Sequence, residues 1–294
     1  MQQKEITKMG ENFGLFKSFG DRLFEGETPT NLGLIGSTSL IDPDATAYFA
    51  RVTAAGGSLS VTEQDAIITL VAALKSANLW DSIKAMYPML GASASACAQN
   101  LKSASFTGTF SSGWTFASTG ITPNGSSAFM NTGLNTSTNL IKTTAHLSVY
   151  VRNNSNGGVP YDLANSSDSG MTVNSTYLVT RYTNSMSYFG IADPTYTTSF
   201  ASLDSKGFWN IATNGSSTQT VYRNGTLFTT GIGTSGNLAN NNLYLGAANA
   251  NGNPAFFSNK EYAFCTIGDG LSTTNMANLY NSVQTFQTTL SRQV

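Results

Sequence analysis

Glu261 and Asp269, in the stretch KEYAFCTIGDG, are the first residues of this 294-residue chain that suggest catalysis. Glu261 is the only glutamate in the last two-thirds of the sequence. Polysaccharide hydrolysis needs two acids flanking a glycosidic bond, about 5–9 Å apart. The other acids after residue 105 are Asp162, Asp168, Asp193 and Asp204. None of these six stands in the tight alternation that aligns several carboxylates on one strand face. That argues against a jelly-roll glycosidase of the ExDxxE kind, and leaves acids converging from distant loops as a third reading. Histidine occurs once, at His146 inside HLSVYVR, too few for a metal cluster and with no nucleophile nearby in sequence. GxSxG, HExxH and Gly-rich phosphate loops are absent. The expectation is a chain with no catalytic residue.

Binding chemistry suits these residue types better. Asn and Ser side chains hydrogen-bond hydroxyls, while Tyr and Trp offer flat apolar faces to pyranose rings. The candidates at predicted loop edges are Tyr161, Asp162, Tyr182, Tyr188, Asp193, Tyr196 and Trp209, each with core or strand-face packing as its alternative. Calcium takes several oxygen ligands, and Asp162 or Asp193 with loop asparagines is the candidate set. The alternative is ordinary solvated turn aspartates.

The composition bounds what such residues serve. Charge is sparse and balanced, 15 basic against 16 acidic residues, and residues 106–294 carry only seven basic and six acidic groups. Nothing here neutralises phosphates, so no nucleic-acid partner is expected, nor a polybasic membrane contact. A surface solvated by Ser, Thr and Asn suits an extracellular or particle-exposed β protein. Cys97 and Cys265 are far apart and lack CxxC spacing; free thiols are expected. The polar start MQQKEITKMGE shows no secretory leader, and no apolar run is long enough to span a bilayer.

Three zones should position these residues. Residues 1–42 are broken by glycines but carry Phe13, Phe16, Phe19, Leu23 and Phe24 near helical spacing. This zone reads as an attachment arm; a membrane-surface helix and packing back on its own domain are the alternatives. Residues 43–103 read as a small helical module. Asp42 and Pro43 start one helix, a second starts with Thr62 as cap and Asp65 at N3, and DSIKAMY forms a short turn. From residue 104 short alternating runs, bounded by Gly, Asn and Ser, predict an antiparallel sandwich. They include HLSVYVR, TYLVTRY, SMSYFGI, GFWNIAT, TQTVYRN and EYAFCTI. Asn224-Gly225 predicts a type I′ hairpin. In the last strand Tyr262, Phe264 and Thr266 are expected on one face, with Glu261, Ala263 and Cys265 on the other. Ser272 then caps a closing helix, 273–288, with Met276, Leu279, Tyr280, Val283 and Phe286 as its apolar stripe.

From Asp42 onward the chain resembles bacteriophage structural proteins, in which a helical module leads into a concanavalin A-like (laminin-G-like) jelly roll. The residues that carry the resemblance are Asp42 to Ala45, Leu79 to Pro88, Gly91 and Asn100 to Lys102. They are joined by SGWTFASTGITPNGSSAFMNTGLN and NKEYAFCTIGDGLSTTNMANLYNSVQTFQTTL. The resemblance implies a mainly β virion component, a head fibre, decoration protein or tail fibre, assembled in host cytoplasm and displayed on the virion surface. It implies a lectin-like domain for host-surface glycans, or else a purely structural decoration. The arm would then contact other virion proteins. A homotrimer is the expected assembly, though no heptad run supports it.

Overall fold

The computed structural model describes residues 41–155, 159–196, 198–233 and 235–294. The expected docking residues Phe13, Phe16, Phe19, Leu23 and Phe24 lie outside them. Residues 41–294 form one compact unit. Among the described residues no helix is long and apolar enough to cross a membrane.

Helix α1 (Pro43–Ala54) starts as expected: the Asp42 side chain accepts from the Asp44 amide, and proline occupies the first position. Helix α2 (Val61–Ser76) is capped by Ser60 and not Thr62. Glu63 at N3 completes a reciprocal capping box with Ser60. Glu63 also accepts from the Gly91 amide through its other oxygen, so one acid secures a helix start and a distant loop. Residues 81–87 depart from expectation. After one 3-10 turn (Trp80–Ser82) they extend into strand β1 (Ile83–Tyr87), which pairs with the last strand of the chain. The helical segment and the sandwich therefore share a sheet.

A short helix α3 (Ala94–Cys97) leads into β2 (Thr109–Phe110), β3 (Trp114–Ala117), β4 (Gly120–Pro123) and β5 (Met130–Asn135). One turn, α4 (Thr136–Asn139), precedes β6 (Ala145–Val151), β7 (Leu163–Ser166), β8 (Thr176–Val179), β9 (Met186–Gly190) and β10 (Ser199–Ala201). Then follow β11 (Gly207–Thr213), β12 (Thr218–Arg223), β13 (Thr226–Ile232), β14 (Asn242–Leu245), β15 (Ala248–Ala250), β16 (Asn253–Ala255) and β17 (Tyr262–Asp269). Helix α5 (Thr273–Thr289) closes the fold with Ser272 as cap. Between β12 and β13, Asn224 and Gly225 both have positive φ, +49° and +72°, the geometry of a type I′ turn.

The strands form two sheets, the antiparallel sandwich the sequence predicts. Sheet A runs β13-β12-β11-β6-β17-β4-β3, with β1 also beside β17. Sheet B runs β10-β9-β8-β7-β14-β5-β2, with β15 and β16 attached. Pairing is antiparallel except where β15 meets β7.

Three apolar layers result. Leu147, Val149, Ile211, Leu163, Leu178 and Phe189 belong to the core between the sheets. The outer face of sheet A, with Tyr150, Phe208, Ala212 and Phe264, packs under α2 and α5. The third layer sits on the far face of sheet B and contains Tyr161, Ala164, Met171, Tyr177 and Val179.

The expected alternation in β17 fails at one point. A bulge lies between Tyr262 and Phe264 opposite Val151 and Tyr150. Tyr262 and Cys265 therefore face the inter-sheet core, whereas Ala263 and Phe264 both face the helices. The Ala263 carbonyl, released at the bulge, accepts from Arg292 Nη2 at 3.0 Å. Arg292 is 1 % exposed and also donates to the carbonyls of Met89 and Pro88 and to Gln287 Oε1. One buried guanidinium thus ties the chain end to the bulge. Burial pulls its pKa down to about 10.

Candidate functional site

Glu261 and Asp269 occupy opposite ends of the β17 region and serve different partners. Glu261 meets Arg152 Nη1 at 2.8 Å, and Asp269 meets Lys84 Nζ at 3.0 Å. His146 is fully buried on the helix-facing side of sheet A. Its Nδ1 lies 2.6 Å from the Asp269 carbonyl oxygen and its Nε2 3.2 Å from Thr266 Oγ1. Thr266 bonds in turn to Ser148. Burial pushes the His146 pKa down to about 4 against the pull of the Asp269 carbonyl, which keeps the ring neutral. The side chains of His146, Thr266 and Ser148 are all fully buried. Cys97 and Cys265 are free and buried.

Three of the seven sequence-chosen binding candidates belong to the interior, which corrects their expected exposure. Trp209 alternates inward from β11, stacks on Phe189 with ring centroids 5.6 Å apart, and donates to the Ser205 carbonyl. Asp162 is fully buried against Lys260, whose Nζ stands 3.0 Å from both carboxylate oxygens. Tyr262 Oη donates to Asp162 Oδ1, while the Thr180 amide and hydroxyl donate to Oδ2. With Tyr262 and Lys260 at the head of β17 and Asp162 just before β7, this cluster links the two sheets. Asp193 is buried too, accepting from Thr195 at Oδ1 and from Gln219 Nε2 at Oδ2. Both aspartates expected to ligate calcium thus have their oxygens engaged by protein donors. Among the described residues no group of three or more His, Cys, Asp or Glu side chains could hold a metal ion.

The other four candidates converge. Tyr161, Tyr182, Tyr188 and Tyr196 line one cleft of about 310 Å³ with Val159, Gly170, Val179 and Phe256. Its base is sheet B. Val179 and Tyr188 lie on the face of β8 and β9 opposite Leu178 and Phe189, which point into the core. Tyr177 lies beneath, stacked on Tyr196 at 4.6 Å. That ring needs Gly190: a Cβ there would stand 2.5 Å from Tyr177 Cζ.

The walls come from loops, joined by Tyr188 of β9. Tyr182 and Tyr188 meet edge to face, centroids 5.6 Å apart at 84°, and so form a corner of two half-buried rings. Phe256 closes against Tyr161 at 5.3 Å. Tyr196 and Phe256 both hold left-handed backbone, φ +55° and +57°. Such conformations cost about 1–3 kcal/mol in residues other than glycine and persist where surrounding packing enforces them.

Hydrogen bonds set the polarity of the cleft. Tyr196 Oη donates to the Met171 carbonyl at 2.7 Å, so Tyr161, 2.8 Å away, donates to Tyr196 Oη. Asn184 Nδ2 donates to Tyr188 Oη at 2.7 Å. Burial pushes Tyr161 up to about 12 and raises Tyr182 and Tyr196 as well, so these hydroxyls keep their protons at physiological pH.

Asp168 anchors the neighbouring turn. Burial alone would raise its pKa, but hydrogen bonds from Ser166, Thr172 and the Val173 and Thr172 amides hold it well below the carboxylate range. Sequence reasoning missed Phe256, Val159, Val179 and Gly170. Phe256 sits in the loop NPAFFSNK, which carries no periodic signal.

No protein-family model and no curated protein matches this sequence. Among solved structures, the chain is similar to domain 4 of AbnA, a GH43 extracellular arabinanase from Geobacillus stearothermophilus, in complex with arabinotriose. The identity is 12%, the TM-score 0.47, and the match covers 68% of this chain and 98% of that one. It is also similar to the botulinum neurotoxin serotype D binding domain, at 14% identity and TM-score 0.45, over 69% of this chain and 52% of that one. The Ruminococcus gnavus IT-sialidase CBM40 matches at 12% identity and TM-score 0.37, over 47% of this chain and 83% of that one.

Proposed function

We propose that this chain is a carbohydrate-binding module, that the tyrosine cleft on sheet B is its binding site, and that it works as a displayed component of a phage particle. One observation carries the binding reading. Four tyrosines chosen for sugar recognition, spread over 36 positions of sequence, meet in one open cleft with Phe256. Edge-to-face rings with oriented hydroxyls suit the alternating apolar faces and hydroxyl edges of a pyranose. The virion part rests on the sequence resemblance of residues 42–294, and a surface poor in charge fits display outside a cell.

Glycan-array and host-cell binding by the full chain test the first part, with Tyr188→Ala as the control. Retention of host-surface binding in wild type and its loss in Tyr188→Ala is expected; equal binding by both sinks the cleft. Locating the chain in a purified particle tests the second part, and its absence there overturns the virion role.

A second reading, a purely structural part, is favoured by Phe200, Leu203 and Leu227, which are 47%, 75% and 54% exposed. Phe200 touches Phe228, where the end strands β10 and β13 of the two sheets meet. Uncovered end strands with apolar side chains invite self-association. Sedimentation of the full chain distinguishes the readings, because concentration-dependent trimers dissociated by Leu203→Glu would favour assembly.

A further inference from the structure

Resting on the glycan reading of the cleft, we infer that its ligand is a neutral sugar, held as a single ring, and not a sialylated or uronic-acid glycan. The charges carry the argument. The described lining is four tyrosines, Phe256, two valines and Gly170, with no Asp, Glu, His, Lys or Arg side chain among them. Among the described residues, the formal charges that act on the cleft and floor tyrosines are carboxylates: Asp168 on Tyr196 and Asp193 on Tyr177. Asp168, with its depressed pKa, stays ionised throughout the physiological range. An anionic sugar entering here would leave water to meet like charge, with no Arg or Lys among the described lining residues to offset the loss.

The hydrogen-bonding inventory points the same way. Tyr161 and Tyr196 spend their protons on Tyr196 Oη and the Met171 carbonyl, so toward a ligand their oxygens act as acceptors. Asn184 donates to Tyr188 Oη, which leaves the Tyr188 proton free to be donated elsewhere. Acceptors mixed with one donor match hydroxyl groups, which both give and receive. A carboxylate only receives, and a trimethylammonium group does neither.

Size sets the last limit. About 310 Å³ is at the low end of the ~300–1,000 Å³ of small-molecule pockets, room for one ring stacked in the Tyr182–Tyr188 corner.

The test is calorimetric or NMR titration of the full chain with methyl hexopyranosides and N-acetylhexosamines, then with glucuronate, sialic acid and choline, at low and physiological salt. Neutral sugars are expected to bind at least tenfold more tightly than either acid. Tyr188→Ala should lower that affinity about tenfold, and Tyr188→Phe should lower it less. Unchanged far-UV dichroism and a cooperative melting transition confirm that each variant folds. Preference for glucuronate, sialic acid or choline overturns this inference while leaving a ligand site in place. Failure to bind any sugar, with the fold intact, overturns the glycan reading itself. Neutral-sugar binding that survives both Tyr188→Ala and Tyr182→Ala moves the site elsewhere and overturns the assignment to this cleft.

Discussion

The two outer faces of the sandwich are built from the same pleated strands and end in opposite ways. Sheet A turns Tyr150, Phe208, Ala212 and Phe264 outward, and helices α2 and α5 seal them. Sheet B turns Ala164, Tyr177, Val179 and Tyr188 outward, with loops around them and, among the described residues, no helix above. Both faces are largely buried residue by residue, so burial alone does not tell them apart. The difference lies in the side chains. The covered face ends in Phe208, Phe264 and a Tyr150 whose hydroxyl donates to Gln284 of the covering helix. The open face gathers four tyrosines around a cleft, rings that pack while offering hydroxyls at the rim. The open face is therefore the one equipped to exchange water for a ligand.

The strongest way to break that comparison is to remove the charge cluster joining the two sheets. Lys260→Ala leaves Asp162 as an unpaired buried carboxylate, with both partners at 0% exposure. Such truncations cost about 3–5 kcal/mol. Urea unfolding should show that loss, and ligand binding should fall with it because Tyr161 is the residue before Asp162. A Lys260→Met, Asp162→Leu double variant should recover much of the stability; if it does not, the pair contributes more than compensated desolvation.

On the sealed face, Arg292→Ala should cost about 3–4 kcal/mol, since it strips the Ala263, Met89 and Pro88 carbonyls of a charged donor. Lysine cannot reproduce the fork and should restore less than half of it. A loss under 1 kcal/mol in denaturant titration would mean water replaces the guanidinium.

The two faces should also respond differently to pH. His146 titrates near 6.5 when unfolded and about 4 when folded. Below pH 6.5 the unfolded chain binds a proton that the native chain refuses, so stability is full above 6.5 and declines toward pH 4. The decline attributable to this residue is about 3 kcal/mol. His146→Asn should remove that component of the slope between pH 6.5 and 4. Burial raises Tyr161, Tyr182 and Tyr196 in the cleft instead, so binding there should be flat from about pH 6 to 9.

How much of this was legible in the sequence depended on local signals. Asp42-Pro43, Asn224-Gly225 and Ser272 each state a cap or turn within a few residues, and all three appear where expected. Strand alternation predicted β6 and β11 for the same reason. What escaped was non-local. The bulge in β17 arises from pairing with β6, more than 100 positions away. DSIKAMY extends as a strand only because β17 offers it an edge. Asp162, Asp193 and Trp209 have the composition of binding residues, and only their partners Lys260, Gln219 and Phe189 assign them to the interior. The four cleft tyrosines were recognisable by type, but nothing in the sequence joined them to Phe256.

The smallest expected effect on stability belongs to the cleft, and it discriminates most sharply. Tyr188 is half-buried on sheet B and meets Tyr182 and Tyr196 edge to face, at centroid distances of 5.6 and 6.1 Å. Such ring contacts contribute about 0.5–1.5 kcal/mol each when well packed. Tyr188→Ala should therefore lower unfolding stability by only about 1 kcal/mol while lowering affinity about tenfold. Phe264→Ala on the sealed face should do the reverse, losing about 3–5 kcal/mol for a fully buried phenylalanine without touching the cleft. Paired melting and binding curves for these two variants separate a face built for the fold from one left open for a partner. If Tyr188→Ala costs as much stability as Phe264→Ala and leaves binding intact, the tyrosines are a third core layer, and the open face has no ligand.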